Sequence, residues 1–212
     1  MYEFFMTHTI VAKLYFAGMV VTALILFVRK RRLRAWVKQL SRYYGSLQHD
    51  CGKRWGRGVQ IRITPQCITP FTIGLIKPMI VLPEYMFQEF DEREIEAVLK
   101  HEYCHIRRGH LLVYGGLDLF RVLWYVNPLV HICARNVKND LEMICDHEVI
   151  QGNSYDPECY GMTLLKSLTL IESEPEGVPA LFRGTSFTVM KQRIRAIARY
   201  REYPKRQIRM LY

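Results

Sequence analysis

The sequence predicts a mainly helical α+β domain with a short β-sheet, preceded by one transmembrane helix. Three observations lead there. An apolar run near the N-terminus is long enough to cross a bilayer. Two stretches, 59–64 and 79–82, have the alternation or the continuous apolar character of strands. Most of the chain after Asp91 shows helical periodicity punctuated by glycine, asparagine and proline. The 212 residues suffice for one domain plus an accessory segment.

The apolar run, Ile10 to Val28, is IVAKLYFAGMVVTALILFV, 19 residues that as a helix span a hydrocarbon core of roughly 30 Å. Lys13 is its single charge, and its stem can snorkel to the outer interface. Arg29, Lys30, Arg31, Arg32 and Arg34 follow at once, which by the positive-inside rule places the next domain in the cytoplasm. A cleaved signal peptide has the reverse order, with basic residues first. The net charge of +10 sits mainly in two blocks, this one and another from Lys191 to Arg209. Such a distribution fits membrane flanks, and direct nucleic-acid binding is not expected. Cysteines 51, 67, 104, 133, 145 and 159 include no C-x-x-C pair, which excludes a zinc ribbon and fits free thiols in a reducing compartment.

Along the chain, Ala35 to Leu47 reads as a helix leaving the bilayer, and 51–58 as a basic, glycine-rich connector. Val59 to Thr64 alternates as a strand and is broken by Pro65 and Pro70. Phe71 to Leu82, with Gly74 and Pro78, predicts a hairpin ending in the strand Met79 to Leu82. That last strand could offer a free edge to an extended peptide, though its apolar residues also suit a core strand. Asp91 and Glu94 form a capping-box pair ahead of Ile95, Val98 and Leu99, so a helix starts here and runs to about Arg108, where Gly109 ends or kinks it. Leu111 to Tyr125 holds Gly115, Gly116, Asp118 and Arg121. It is too polar for a membrane span and fits an amphipathic helix on the core or at the bilayer surface. Asn127-Pro128 opens a further helix to about Ile150. Tyr155 to Ile171 and the basic Val189 to Tyr200 are the last two, separated by a polar, proline-containing loop from Glu172.

The chemistry lies in His101-Glu102-Tyr103-Cys104-His105, an H-E-x-x-H pattern on a stretch already assigned as helix. Residues four apart share a face, so both imidazoles can reach one Zn²⁺, while Glu102 can take a proton from its water. A catalytic zinc takes three protein ligands. The metzincin spacing fails, because Arg108 and Leu111 stand where its glycine and third histidine belong. Glu142 is the better third ligand. Asp146 lies four residues on and shares its helix face, where it can accept the other N–H of a ligand histidine. Asp140, His147 and Glu148 are alternatives. Zinc then polarises the water and the scissile carbonyl, and Glu102 moves the proton from the water to the departing amine. His110, Arg107 and Arg121 are all conceivable donors to the oxyanion.

These residues resemble a known family. The apolar helix, Gly74 with Lys77-Pro78-Met79-Ile80-Val81-Leu82-Pro83, the run from His101 to His110, Asn127-Pro128, and Glu142-Met143-Ile144-Cys145-Asp146 are similar to the BlaR/MecR-type membrane zinc metallopeptidases of β-lactam sensing. That family is related to the HtpX and Ste24 peptidases. The resemblance covers roughly residues 9–200. It implies a gluzincin peptidase domain with one Zn²⁺ per chain on His101, His105 and Glu142, Glu102 as catalyst and Asp146 behind a ligand. It further implies a protein substrate, a DNA-binding repressor or the chain itself, with self-cleavage between Ser186 and Phe187. The expected organisation is a transmembrane anchor and basic flank over 1–34, a cytoplasmic gluzincin domain over 35–200, and a basic tail over 201–212 leading to a further segment. The chain contains no S-x-x-K motif of a penicillin-binding sensor. A non-catalytic, zinc-binding signalling scaffold is the alternative function.

Overall fold

The computed structural model describes residues 2–43, 59–151, 155–173 and 187–202. The first element, α1 (Tyr2–Gln39), is one 38-residue helix through the apolar run and the basic block. Among the described residues it is the helix long and apolar enough to cross a membrane. Leu14, Val20 and Leu24 are exposed. The helix stops earlier than the expected Leu47. At Leu40 the carbonyl accepts from Arg62 Nη1 (2.8 Å), and Ser41–Arg42 turns into a short strand, β1. The unpaired edge of the neighbouring strand offers backbone partners there, and that edge wins over continued helix.

Three more strands complete the sheet: β2 (Gln60–Thr64), β3 (Phe71–Ile73) and β4 (Met79–Pro83), in the order β1-β2-β4-β3. β2 and β4 run parallel, and the other pairs are antiparallel. The turn from β3 to β4 needs Gly74 (φ 98°), where a Cβ would stand 2.3 Å from the Lys77 carbonyl oxygen. β4 is buried at all five positions and paired on both sides, so it has no free edge for a peptide. An apolar run covered on both faces is the signature of a central strand. The sheet's edge strands are β1 and β3.

Alternation on β4 explains the layers. Met79 and Val81 pack with Phe71 and Ile73 against Leu33, Trp36 and Val37 of α1. Ile80 and Leu82 face the other way with Ile61, onto the short helix α2 (Met86–Glu89) and onto Ile95, Val98 and Leu99 of α3 (Glu92–Arg107). The sheet is therefore sandwiched between α1 and α3. Asp91 caps α3 as its sequence requires: Glu94 N–H donates to Asp91 Oδ1 (2.7 Å) and Asp91 N–H to Glu94 Oε2 (3.0 Å). Gly109 (φ 68°) then turns the chain into α4 (His110–Leu123).

α4 packs along α1, with Lys30 Nζ 2.7 Å from Asp118 Oδ2. Its other side stays apolar and exposed. Asn127 caps α5 (Pro128–Ile150) by accepting from Leu129 N–H, with Pro128 in the first turn. α6 (Pro157–Ser173) and α7 (Phe187–Glu202) close a second core, in which Ala97, Val149, Ile150, Tyr160, Leu164, Met190 and Ile197 meet. The five described cysteines carry no disulfide.

Because the Asp91 carboxylate accepts the Glu94 N–H, Asp91→Ala should cost about 1 kcal/mol and Asp91→Asn much less. Chemical denaturation of the detergent-solubilised protein measures the difference.

Candidate metal centre

His101 and His105 occupy successive turns of α3, and both are buried. Their Nε2 atoms lie 3.4 Å apart. Glu142, reaching across from α5, sets its carboxylate oxygens 3.3 Å from His101 Nε2 and 3.4 Å from His105 Nε2. Ligand atoms held about 2.0–2.1 Å from a tetrahedral zinc are separated by about 3.3 Å. The three side chains thus fit Zn²⁺ in both chemistry and spacing.

The opposite ring nitrogens are held too. His101 Nδ1 is 3.0 Å from Asp146 Oδ1, which directs its proton there and leaves Nε2 toward Glu142. His105 Nδ1 faces His110 Nδ1 (3.0 Å) and Tyr114 Oη (3.4 Å). Asp146 is in turn fixed by α6 and α7. Tyr160 Oη donates to its Oδ1 (2.8 Å), while Arg193 donates through Nε to Oδ2 (2.7 Å) and through Nη2 to Oδ1 (2.6 Å). The same guanidinium approaches Glu142 Oε2 at 3.4 Å. One arginine therefore spans both carboxylates of the i, i+4 pair.

Charge follows this geometry. Burial alone would lift the Glu142 and Asp146 carboxyls, but Arg193 and His101 outweigh it and hold both below the usual carboxylate range. Burial works against a charged His101, yet Asp146 and Glu142 raise its pKa; burial and the neighbouring His101 push His105 down to about 4. Glu102 is lifted chiefly by burial, and Thr72 Oγ1 donates to its Oε2 at 2.7 Å.

The other sequence candidates fall elsewhere. Glu148 is bound to Arg107 and Arg108, each at 2.7 Å, and neither Asp140 nor His147 lines the pocket above the histidines. Of the expected oxyanion donors, Arg107 is held by Glu148, Arg121 lies beside Asp118, and His110 sits behind His105. None of the three lines the pocket. Its polar walls include Tyr114, Tyr160 and Arg193 instead. Cys145 Sγ also lies within 4.8 Å of the ring nitrogens of both histidines, making His101, His105 and Cys145 a second possible ligand set. Glu142 stands closer, with its carboxylate oxygens 3.3 and 3.4 Å from the two Nε2 atoms. Ser186 lies outside the described residues; the backbone of Phe187 opens α7.

Thr72, Tyr160 and Arg193 were not singled out by the sequence. Arg193 carried a signal: it stands with Met190, Ile194 and Ile197 at helical spacing, a charge on an apolar face. Tyr160 carried none, since any buried aromatic reads alike.

A mainly helical α+β chain that converges two helix-borne imidazoles and a carboxylate beneath a pocket has the architecture of a metallopeptidase. The chain belongs to the family described as BlaR1 peptidase M56, whose model matches residues 3–197. It is 30% identical over 138 residues to the methicillin resistance mecR1 protein of Staphylococcus aureus, covering 64% of this chain and 23% of that protein. It is 28% identical over 160 residues to the regulatory protein BlaR1 of Bacillus licheniformis, covering 73% of this chain and 26% of that one. The chain thus spans about a quarter of the length of these curated relatives.

Arg193→Met should destabilise the protein by about 3–5 kcal/mol, because it leaves Asp146 buried and uncompensated. Replacing Arg193 and Asp146 together by apolar residues should recover much of that loss in a thermal-unfolding series.

Proposed function

We propose that this chain is the peptidase portion of a membrane-anchored signalling protein, a zinc endopeptidase with its site on the cytoplasmic side. The observation that carries this reading is the triangle of His101, His105 and Glu142, with edges of 3.3–3.4 Å. In this reading 1–34 is the anchor, 35–200 the gluzincin domain and 201–212 a basic tail, and one Zn²⁺ binds per chain. Bound zinc supplies a Lewis acid for the water and the scissile carbonyl.

The chain's own residues do the rest. Asp146 holds His101 in the tautomer that presents Nε2, and Arg193 keeps Asp146 ionised. Glu102 is the general base. Burial raises its basicity, and the Thr72 hydroxyl aims its carboxylate. It takes a proton from water and delivers it to the leaving amine as the C–N bond breaks. β3, beside Glu102 and on the sheet's edge, can align a peptide in extended form, since Phe71 and Thr72 wall the pocket. The relatives' names, a methicillin resistance protein and a regulatory protein, support a signalling role; a DNA-binding repressor and the chain itself are the proposed substrates. Ser186–Phe187 is the proposed self-cleavage bond.

Expression in membranes with zinc analysis and mass mapping tests the proposal. Glu102→Ala should keep about one zinc per chain and lower cleavage by about 10²–10⁴-fold. Cleavage that persists in this variant removes Glu102 as catalyst. Glu142→Ala should lose the metal, and a zinc chelator should abolish the fragment beginning at Phe187. Full zinc with no turnover of any protein points to the scaffold function instead.

A further inference from the structure

We infer that α4 and the first turn of α5 form a re-entrant hairpin that dips into the bilayer beside α1, with lipid acyl chains covering its outward face. The inference rests on the proposed reading of α1 as a membrane span. Depth is set by the contacts between the two helices. Lys30, just past the apolar run, pairs with Asp118 in the middle of α4. Further along, Tyr15 Oη donates to the Leu123 carbonyl, and the Tyr15 and Tyr125 rings lie 5.4 Å apart. Gly18 makes room for the Tyr125 phenol, whose oxygen would stand 2.1 Å from any Cβ there. Residues 15–18 lie near the centre of the run 10–28, about 18–22 Å along the helix from Lys30 at 1.5 Å per residue. The end of α4 therefore reaches the bilayer midplane.

Its surface is arranged for that depth. Leu112, Leu119, Phe120 and Leu123 recur at helical spacing and are exposed, and Val126 and Leu129 continue the patch round the turn, all without partners on their outer side among the described residues. The charges face inward, with Asp118 held between Lys30 and Arg121. Backbone turns are tolerated in hydrocarbon only when their polar groups are satisfied internally. Here the three successive carbonyls at the turn each take a donor: Leu123 from Tyr15 Oη, Trp124 from Asn127 N–H (2.9 Å), and Tyr125 from His131 Nε2 (3.0 Å). With 14 residues, α4 is about 21 Å long and too short to cross. Asn127-Pro128 sends the chain back instead, along α5 to Glu142 and Asp146. Since His110 and Tyr114 of α4 both touch His105, insertion of the hairpin would hold the metal centre at the membrane surface.

The unmodified chain, reconstituted in phosphatidylethanolamine–phosphatidylglycerol vesicles, can be photolabelled with a phospholipid carrying a diazirine at the end of its acyl chain. Peptide mapping should find Leu123 to Leu129 labelled to within about twofold, per residue, of the central turns of α1, with α6 at background. Labelling confined to α1 overturns the hairpin and leaves the anchor standing. If neither segment is labelled, α1 does not span the bilayer and the hairpin falls with it. Labelling of α4 residues 112–116 without the 123–129 turn also overturns the inference, because it places the helix on the surface.

Discussion

Four helices of this protein meet on one carboxylate. Asp146 of α5 accepts from His101 of α3, Tyr160 of α6 and both arms of Arg193 on α7. A buried charge with these partners is tolerated only while every one is present, since each missing donor leaves an ion in a medium that solvates it poorly. The relative placement of the helices and the orientation of a proposed zinc ligand thus depend on the same few hydrogen bonds. Arg193 extends the constraint to Glu142, so a single guanidinium faces both the proposed ligand and the residue behind it.

The sheet performs the corresponding task on the other side of the site. β4, apolar on both faces, ties the C-terminal half of α1 to α3 through alternate side chains. Register does the rest. Thr72 pairs with Ile80, so it shares that residue's face and looks toward α3, which is why its hydroxyl finds Glu102. A one-residue slip of β3 would turn Thr72 toward α1 and leave the Glu102 carboxylate without this donor.

Polarity in the molecule reverses between its two ends. Around the histidines, charged groups are buried among apolar ones and every one is partnered. Along α1 and α4, apolar groups face outward, while Asp118 and Arg121 of α4 turn in. The inferred hairpin joins these regimes, since α4 begins beneath His105 and ends beside the centre of the apolar run.

Much was legible in the residues themselves because the responsible forces act over one or two turns of chain. The capping box at Asp91, the left-handed Gly109, Asn127-Pro128, the apolar length of α1 and the i, i+4 spacings of His101/His105 and Glu142/Asp146 are local, and each stands where its pattern places it. What no local pattern carries is which side chains meet across elements. That β4 lies between β2 and β3, that His110 backs His105 while Glu148 is drawn onto two arginines, and that Arg193 closes over Asp146 are outcomes of packing. The physical reason is the same in each case: a buried polar atom must find a partner, and the chain's path through space, not its spacing along the sequence, decides which partner is near.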